Sequence, residues 1–156
     1  MARPLKEGNK APAFSLPTDS GGSIALKDLK GEKVVLYFYP KDDTPGCTKE
    51  AIAFTEGAAR FKRAGARIIG VSKDSVARHD KFKEKHGLKV TLASDESGAV
   101  LEKYGVWVEK SMYGRKFMGV ERSTFLIDGA GVIRRIWRKV KVAGHAEEIL
   151  EAVKAL

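Results

Sequence analysis

Cys47 is the only cysteine in this chain of 156 residues, and it lies where a run of mostly β-branched and aromatic residues, 33–39, gives way to a helical pattern. At the start of a helix, free backbone N–H groups and the positive end of the helix dipole lie close to a side chain. Both stabilise a thiolate, which is the nucleophilic form of cysteine. The position of Cys47 therefore predicts a thiol that reacts as a nucleophile.

Two neighbours of Cys47 suit nucleophilic chemistry at its sulfur. Thr44 lies one turn earlier, and its hydroxyl can accept a hydrogen bond from the thiol or donate one to a substrate oxygen. Gly46 has no side chain, so the backbone can approach a small substrate closely. An isolated cysteine is more often an inert core residue, and it is the surrounding motif that favours the reactive interpretation.

The elements that must position Cys47 alternate between strands and helices. The run 33–39 is β-branched and aromatic, which predicts a strand buried on both faces at the centre of a sheet. Apolar residues from Cys47 onward recur at spacings of four, three, four and three, which predicts a helix over 47–64 with Cys47 on its inward face. The remaining patterns predict strands at 67–71 and 91–93, helices at 75–86, 98–104 and 144–156, an N-terminal hairpin of 14–16 with 23–26, and a second hairpin of 123–127 with 132–140. This order predicts an α/β fold with a central mixed sheet flanked by helices.

Length and cysteine content limit the class of protein. With 43% apolar residues, the range 1–156 predicts a single domain that can bury a core. One cysteine excludes an intramolecular disulfide, a Cys-x-x-Cys redox pair and a thiolate-rich zinc site. Residues 1–8 lack an apolar segment of signal-peptide length, and the longest apolar run, 34–39, is six residues long, too short to span a membrane. We therefore expect a cytoplasmic protein that is not embedded in a membrane.

The net charge of +9 raises the alternative of a scaffold that binds nucleic acid. The densest cationic cluster lies within 132–142, where pairs of apolar residues alternate with pairs of cations. That pattern favours a twisted or bulged edge strand exposed to water over a helix that enters a DNA groove. No nucleic-acid-binding motif accompanies the charge, so the scaffold is the weaker interpretation.

The histidines and several aromatic residues supply no further site. The three histidines share no metal-ligand spacing, so we expect no metal site and no cofactor, and we place all three on the surface: His79, His86 and His145. Three aromatic residues are interpreted as packing residues: Trp107, Tyr113 and Trp137.

The residues before Cys47 resemble a known active-site pattern. The spacing Pro40-x-x-x-Thr44-x-x-Cys47 is similar to that of the peroxiredoxins, and the string 40–50 resembles their bacterioferritin-comigratory, or Q-type, branch. The resemblance extends over nearly the whole chain and includes the segments 8–14, 122–128 and 140–145. It implies a thioredoxin-like fold and a thiol peroxidase that reduces hydrogen peroxide and organic hydroperoxides.

The resemblance also implies roles for other residues. Pro40 would shield the thiolate from water. Arg122 would lie beside Cys47 after folding, stabilise its thiolate and hold the departing charge, because a guanidinium does not deprotonate. Glu50 would orient Arg122 and, with Gly46, contribute to substrate binding. As an alternative, Glu50 is simply a first-turn acid that interacts favourably with the helix dipole.

The chain departs from the Q-type pattern five residues after Cys47. Many members carry a second, resolving cysteine there, whereas this chain has Ile52. The sulfenic acid formed on Cys47 must then react with a thiol from outside. We expect a one-cysteine peroxidase whose partners are a peroxide and an external thiol, such as thioredoxin, glutaredoxin with glutathione, or a small thiol. The resemblance favours a monomer, with a disulfide-linked dimer through Cys47 as the alternative.

Two rival functions would depend on the same cysteine. In a redox sensor or a holdase, oxidation of Cys47 would act as a switch without turnover. A disulfide reductase of the thioredoxin type is the weakest alternative, because it needs two cysteines.

Overall fold

The structure, a computed structural model, describes residues 5–156. The segment 1–8, for which we predict no signal peptide, therefore lies partly outside the described residues. The strands are β1 (Ser15–Pro17), β2 (Ser23–Ala25), β3 (Lys33–Phe38), β4 (Ala66–Ser72), β5 (Thr91–Ser94), β6 (Trp107–Met112), β7 (Arg115–Val120), β8 (Ser123–Ile127) and β9 (Ile133–Trp137). The helices are α1 (Pro45–Glu56), α2 (Ala58–Arg63), α3 (Val76–His86), α4 (Ala99–Lys103) and α5 (His145–Lys154). No helix within 5–156 combines the length and the apolar character needed to cross a membrane.

Five strands form one mixed sheet in the order β5-β4-β3-β8-β9. β3 lies at its centre, parallel to β4 and antiparallel to β8. Residues Val34 to Phe38 are at most 1% exposed, because other elements cover both faces of the sheet. The predicted mixed sheet with 33–39 at its centre is therefore confirmed, as is the N-terminal hairpin, in which β1 pairs with β2.

Alternate residues of β3 contact two separate hydrophobic clusters. Leu36 and Phe38 pack on one face of the sheet, together with residues of α4 and β8. Val35 and Tyr37 pack on the other face, together with residues of α1 and α5. Cys47 belongs to this second cluster and is 2% exposed, so α1 carries it inward, as predicted.

The single helix predicted over 47–64 is wrong, because the chain forms α1 and α2 with a break at Gly57. Glycine is a weak helix former. The helix is interrupted at this residue, and α2 packs against β4 and α5.

The sequence patterns missed the hairpin of β6 and β7. Its strands are largely exposed and lack the alternation of a half-buried strand. Tyr113 and Gly114 form its turn with positive φ angles of 52° and 78°, as a two-residue hairpin turn requires. Tyr113 is 98% exposed, so its predicted packing role is wrong, whereas Trp107 and Trp137 lie partly buried against the core, as predicted.

The cationic segment 132–142 contributes the edge strand β9. Arg134 and Arg135 are exposed, and the pairing with β8 changes register between Leu126 and Ile127. The predicted irregular edge strand with exposed cations is therefore confirmed.

Two of the three histidines are buried, contrary to their predicted surface positions. His79 is fully buried on α3. His145 is 6% exposed at the start of α5, and its Nε2 lies 2.8 Å from the Oγ1 of Thr124. Polar partners inside the protein offset the cost of burying an imidazole, so the lack of metal-ligand spacing did not imply exposure.

Candidate active site

Cys47 is the third residue of α1. The backbone is extended at Thr44, and Pro45 is the first helical residue, where its missing N–H costs nothing. The amides of Gly46 and Cys47 belong to the first turn, in which no preceding helical carbonyl can accept their hydrogen bonds. These amides and the helix dipole therefore lie close to a sulfur that is almost excluded from water.

Arg122 connects Cys47 to Glu50. It lies between β7 and β8, and its Nη2 donates to the Sγ of Cys47 at 3.3 Å. Its Nη1 donates to the Oε1 of Glu50 at 2.5 Å. Cys47 and Glu50 are three positions apart on α1 and so share one face of the helix. The structure thus brings together three residues that are dispersed in the sequence and that the resemblance groups.

Burial and charge oppose each other in this cluster. The Glu50 side chain is 1% exposed and that of Arg122 is 16% exposed. Burial raises the pKa of Glu50 to about 7, although Arg122 acts to lower it. Burial also disfavours the charge on Arg122, but Glu50 and Cys47 more than compensate and raise the pKa of Arg122 above its ordinary value. The guanidinium therefore stays cationic beside the sulfur.

Gly46 leaves space for the Arg122 guanidinium. A Cβ at Gly46 would lie 3.1 Å from Arg122 Nη2, which is closer than an ordinary van der Waals contact. From the sequence we expect a glycine here to let a substrate approach the backbone. In the structure the Arg122 guanidinium lies against the position that a side chain at residue 46 would take.

Thr44 and Pro40 belong to the loop that leads from β3 into α1. The Thr44 hydroxyl donates its hydrogen to the carbonyl oxygen of Lys41 at 2.8 Å. Its oxygen lone pairs are therefore left to accept, so of the two predicted functions this geometry favours acceptance and not donation to a substrate oxygen. Pro40 is exposed, and its shielding role stays a prediction.

The sequence patterns missed a buried polar cluster beside the same loop. Asp42 is 3% exposed, and its carboxylate accepts from Tyr39 Oη at 2.5 Å and lies 2.6 Å from His79 Nδ1. A signal for it was present, because His79 precedes Phe82 by three positions and so shares the apolar face of α3.

Comparison with known proteins gives matches along nearly the whole chain. The pattern of the AhpC/TSA family matches residues 8–136. The chain is 54% identical over 146 residues to a putative peroxiredoxin Bcp of Coxiella burnetii, which covers 94% of this chain and 97% of that protein. It is 49% identical over 150 residues to the peroxiredoxin Bcp of Bacillus subtilis, with 96% of each protein covered.

Solved structures show the same fold. The bacterioferritin comigratory protein of Xanthomonas campestris, whose alkyl peroxide reduction activity has been studied in trapped complexes, superimposes with a TM-score of 0.87 at 46% identity and covers 91% of this chain and 90% of its own. A cysteine-to-serine mutant of Xylella fastidiosa peroxiredoxin Q gives a TM-score of 0.93 at 38% identity, with 99% and 98% covered. Serine mutants at two different cysteines are among the solved forms of the Xanthomonas protein, whereas this chain has one cysteine. The predicted thioredoxin-like fold is confirmed.

Proposed function

The chain belongs to the AhpC/TSA family and is a thiol peroxidase of the peroxiredoxin Bcp, or Q, type, and we propose that Cys47 is the residue that attacks the peroxide. The observation that carries this assignment is the contact of 3.3 Å between Arg122 Nη2 and Cys47 Sγ at the start of a helix. A cation and free amides at one sulfur are the conditions that favour a thiolate.

The proposed reaction transfers two electrons from sulfur to the peroxide. The Cys47 thiolate attacks one peroxide oxygen, and the S–O bond forms as the O–O bond breaks. The second oxygen leaves with the electron pair of the broken bond and takes up one proton, which gives an alcohol or water. Cys47 is left as a sulfenic acid.

We assign three groups to the stabilisation of this transfer. Negative charge moves from the sulfur to the departing oxygen, so fixed donors must serve both atoms. Arg122 and the amides of the first turn of α1 can do so without reorganising, because the fold holds them in place. The Thr44 oxygen can accept the O–H of the peroxide, which would align the peroxide for attack.

We further propose that an external thiol completes the cycle. With one cysteine in the chain, the sulfenic acid would be attacked by a thiol from solution, so that an S–S bond forms and water leaves. A second thiol would then release Cys47 and leave the reductant as a disulfide. Thioredoxin, glutaredoxin with glutathione, and small thiols are the candidate reductants.

Loss of peroxide in the presence of dithiothreitol tests the assignment of Cys47. We expect turnover with the wild-type protein and none with Cys47→Ser, and we expect dimedone to label Cys47 after one equivalent of peroxide. Equal peroxide loss in both proteins would exclude catalysis at Cys47. Labelling without turnover under every reductant would instead favour the redox sensor or holdase, and salt-sensitive DNA retention that Cys47→Ser leaves unchanged would favour the scaffold.

We also propose a monomer that acts in the cytoplasm. An unpaired reactive thiol suits a reducing compartment, and the net charge of +9 disfavours self-association. Sedimentation of the reduced and the peroxide-treated protein tests the oligomeric state, since a dimer linked through Cys47 would appear only after oxidation and would disappear with dithiothreitol.

A further inference from the structure

A buried ion pair joins the loop before Cys47 to helix α3. Asp42 is 3% exposed and His79 is fully buried. His79 Nδ1 lies 2.6 Å from Asp42 Oδ2, and His79 Nε2 lies 3.0 Å from the carbonyl oxygen of Ala93 in β5. The imidazole therefore links the loop to the edge strand β5, with one ring nitrogen facing each.

The partners of the imidazole determine how many protons the pair holds. The carbonyl of Ala93 can only accept, so His79 Nε2 carries a hydrogen. The contact between His79 Nδ1 and Asp42 Oδ2 needs a second hydrogen. Asp42 also accepts from the Tyr39 hydroxyl through Oδ1. Both ring nitrogens of His79 thus face acceptors, so the imidazole carries a hydrogen on each. Burial acts to lower the pKa of His79, but the hydrogen bond and charge of Asp42 outweigh it and raise this pKa.

Further contacts fix the conformation of the same loop. The Asp42 amide donates to Asp74 Oδ2 at 2.8 Å. Asp43 has a φ of 60°, in the left-handed region that aspartate enters more readily than most residues with a side chain. Its carboxylate contacts Lys85 and His86 of α3 at 2.7 and 2.9 Å. The loop therefore depends on α3 for its shape.

We propose that His79 is a positioning residue for the reaction at Cys47, acting through Asp42 on the loop 40–44. This loop ends at Thr44, which precedes α1 directly and whose hydroxyl is oriented by the carbonyl of Lys41. Release of Asp42 would let the loop relax, so that Thr44 and the first turn of α1 would lose their fixed positions. The expected effect on the rate rests on the function proposed for Cys47, whereas the link from His79 to the loop does not.

Several titratable and charged groups surround the pair, and the sign of its pH dependence follows from the imidazole itself. Tyr39 at the end of β3 and Asp74 after β4 face it, and Arg78 of α3 lies 3.3 Å from Asp74. Lys85 and His86 of α3 bind the adjacent Asp43. As the pH rises and His79 loses its Nδ1 hydrogen, its hydrogen bond to Asp42 is lost, and the rate per thiolate should fall.

Three variants separate positioning from stability. His79→Leu removes the pair. Asp42→Asn removes its charge but keeps its hydrogen bonds, because the amide can accept from Tyr39 and donate to a neutral His79. Phe82→Leu trims the neighbouring buried position on α3 and is the control for lost core packing.

The rate constant for oxidation of Cys47 by peroxide is measured from pH 6 to 9, together with the rate of alkylation by iodoacetamide. We expect His79→Leu to slow peroxide oxidation by roughly 10-fold or more, since small displacements in an active site have effects of this order. In Asp42→Asn the rate constant for peroxide oxidation should stay within about 2-fold of the wild-type value at neutral pH and should no longer decline at alkaline pH. In Phe82→Leu it should stay within about 2-fold of the wild-type value over the whole pH range.

Equal peroxide rates in His79→Leu and Phe82→Leu at matched thermal stability would overturn the proposal. If His79→Leu does not fold, the pH profile of Asp42→Asn decides, and an alkaline decline identical to that of the wild type would contradict the role of His79. A failure of the role proposed for Cys47 would look different, because Cys47 would then react with iodoacetamide but not with peroxide. The alkylation rates of the variants would still show whether the loop 40–44 has moved.

Discussion

Arg122 Nη2 lies 3.3 Å from the sulfur of Cys47, although 75 positions separate the two residues along the chain. The other end of the guanidinium is held by Glu50, one helical turn after Cys47. Arg122 lies directly before β8, which pairs with the central strand β3. The environment of the sulfur is therefore set by the sheet as well as by α1.

Replacing Arg122 tests whether its contact with the sulfur stabilises the thiolate. We expect Arg122→Met to shift the appearance of thiolate absorbance at 240 nm to higher pH and to slow peroxide oxidation on the order of 100-fold, the usual effect of removing one fixed donor from a developing charge. Arg122→Lys should be intermediate, because an ammonium lacks the planar fork that reaches Cys47 and Glu50 together. Unchanged titration and rate in Arg122→Met would exclude the assigned role.

Gly46→Ala should separate activity from stability. Its Cβ would lie 3.1 Å from Arg122 Nη2 and displace the guanidinium, so we expect peroxide oxidation to slow by roughly 10-fold. Alanine is the better helix former by up to about 1 kcal/mol, so the melting temperature should stay equal or rise. Gly57→Ala is the control, because its Cβ would meet the Phe61 ring at an ordinary contact distance, and this variant should keep full activity. Parallel losses of activity in both variants would contradict the explanation for Gly46.

The sequence predicted the parts of this site that depend on local patterns. A continuous apolar run predicted β3, and the spacing after Cys47 predicted an inward-facing thiol, because both signals lie within one element. The contact of Arg122 came only from a resemblance, since no local pattern relates residues of separate elements. The Asp42–His79 pair was missed because a buried histidine differs from an exposed one only in its partners. The hairpin of β6 and β7 was missed because its exposed strands carry no burial pattern.

Acid should destabilise the protein in part through His145. Burial is the main reason that the pKa of His145 falls to about 4 from an ordinary 6.5, with Arg122 adding to the effect and Glu148 opposing it. The folded protein thus keeps this imidazole neutral while the unfolded chain binds a proton, so stability is full above about pH 6.5 and is lost as the pH falls towards 4. The shift corresponds to at most about 3 kcal/mol.

His145→Gln isolates this contribution, since an amide can still pair with Thr124 but does not titrate. Urea unfolding at pH 7 and pH 4.5 should show a smaller loss of unfolding free energy in the variant than in the wild type, by about 1–3 kcal/mol. The same loss in both proteins would show that His145 is not responsible.

Ile52→Cys tests whether α1 must unwind before a second thiol can reach Cys47. Ile52 is partly buried against the core, and five positions along an intact helix amount to a rotation of about 140° and a rise of about 7.5 Å, beyond the reach of a disulfide. We expect one equivalent of peroxide to leave a sulfenic acid that dimedone captures in the wild type and in the control Ile52→Ser. In Ile52→Cys a disulfide should form in its place, together with a loss of helical signal in the far-ultraviolet circular dichroism. A disulfide that forms with the helical signal intact would show that the geometry of α1 does not block this route.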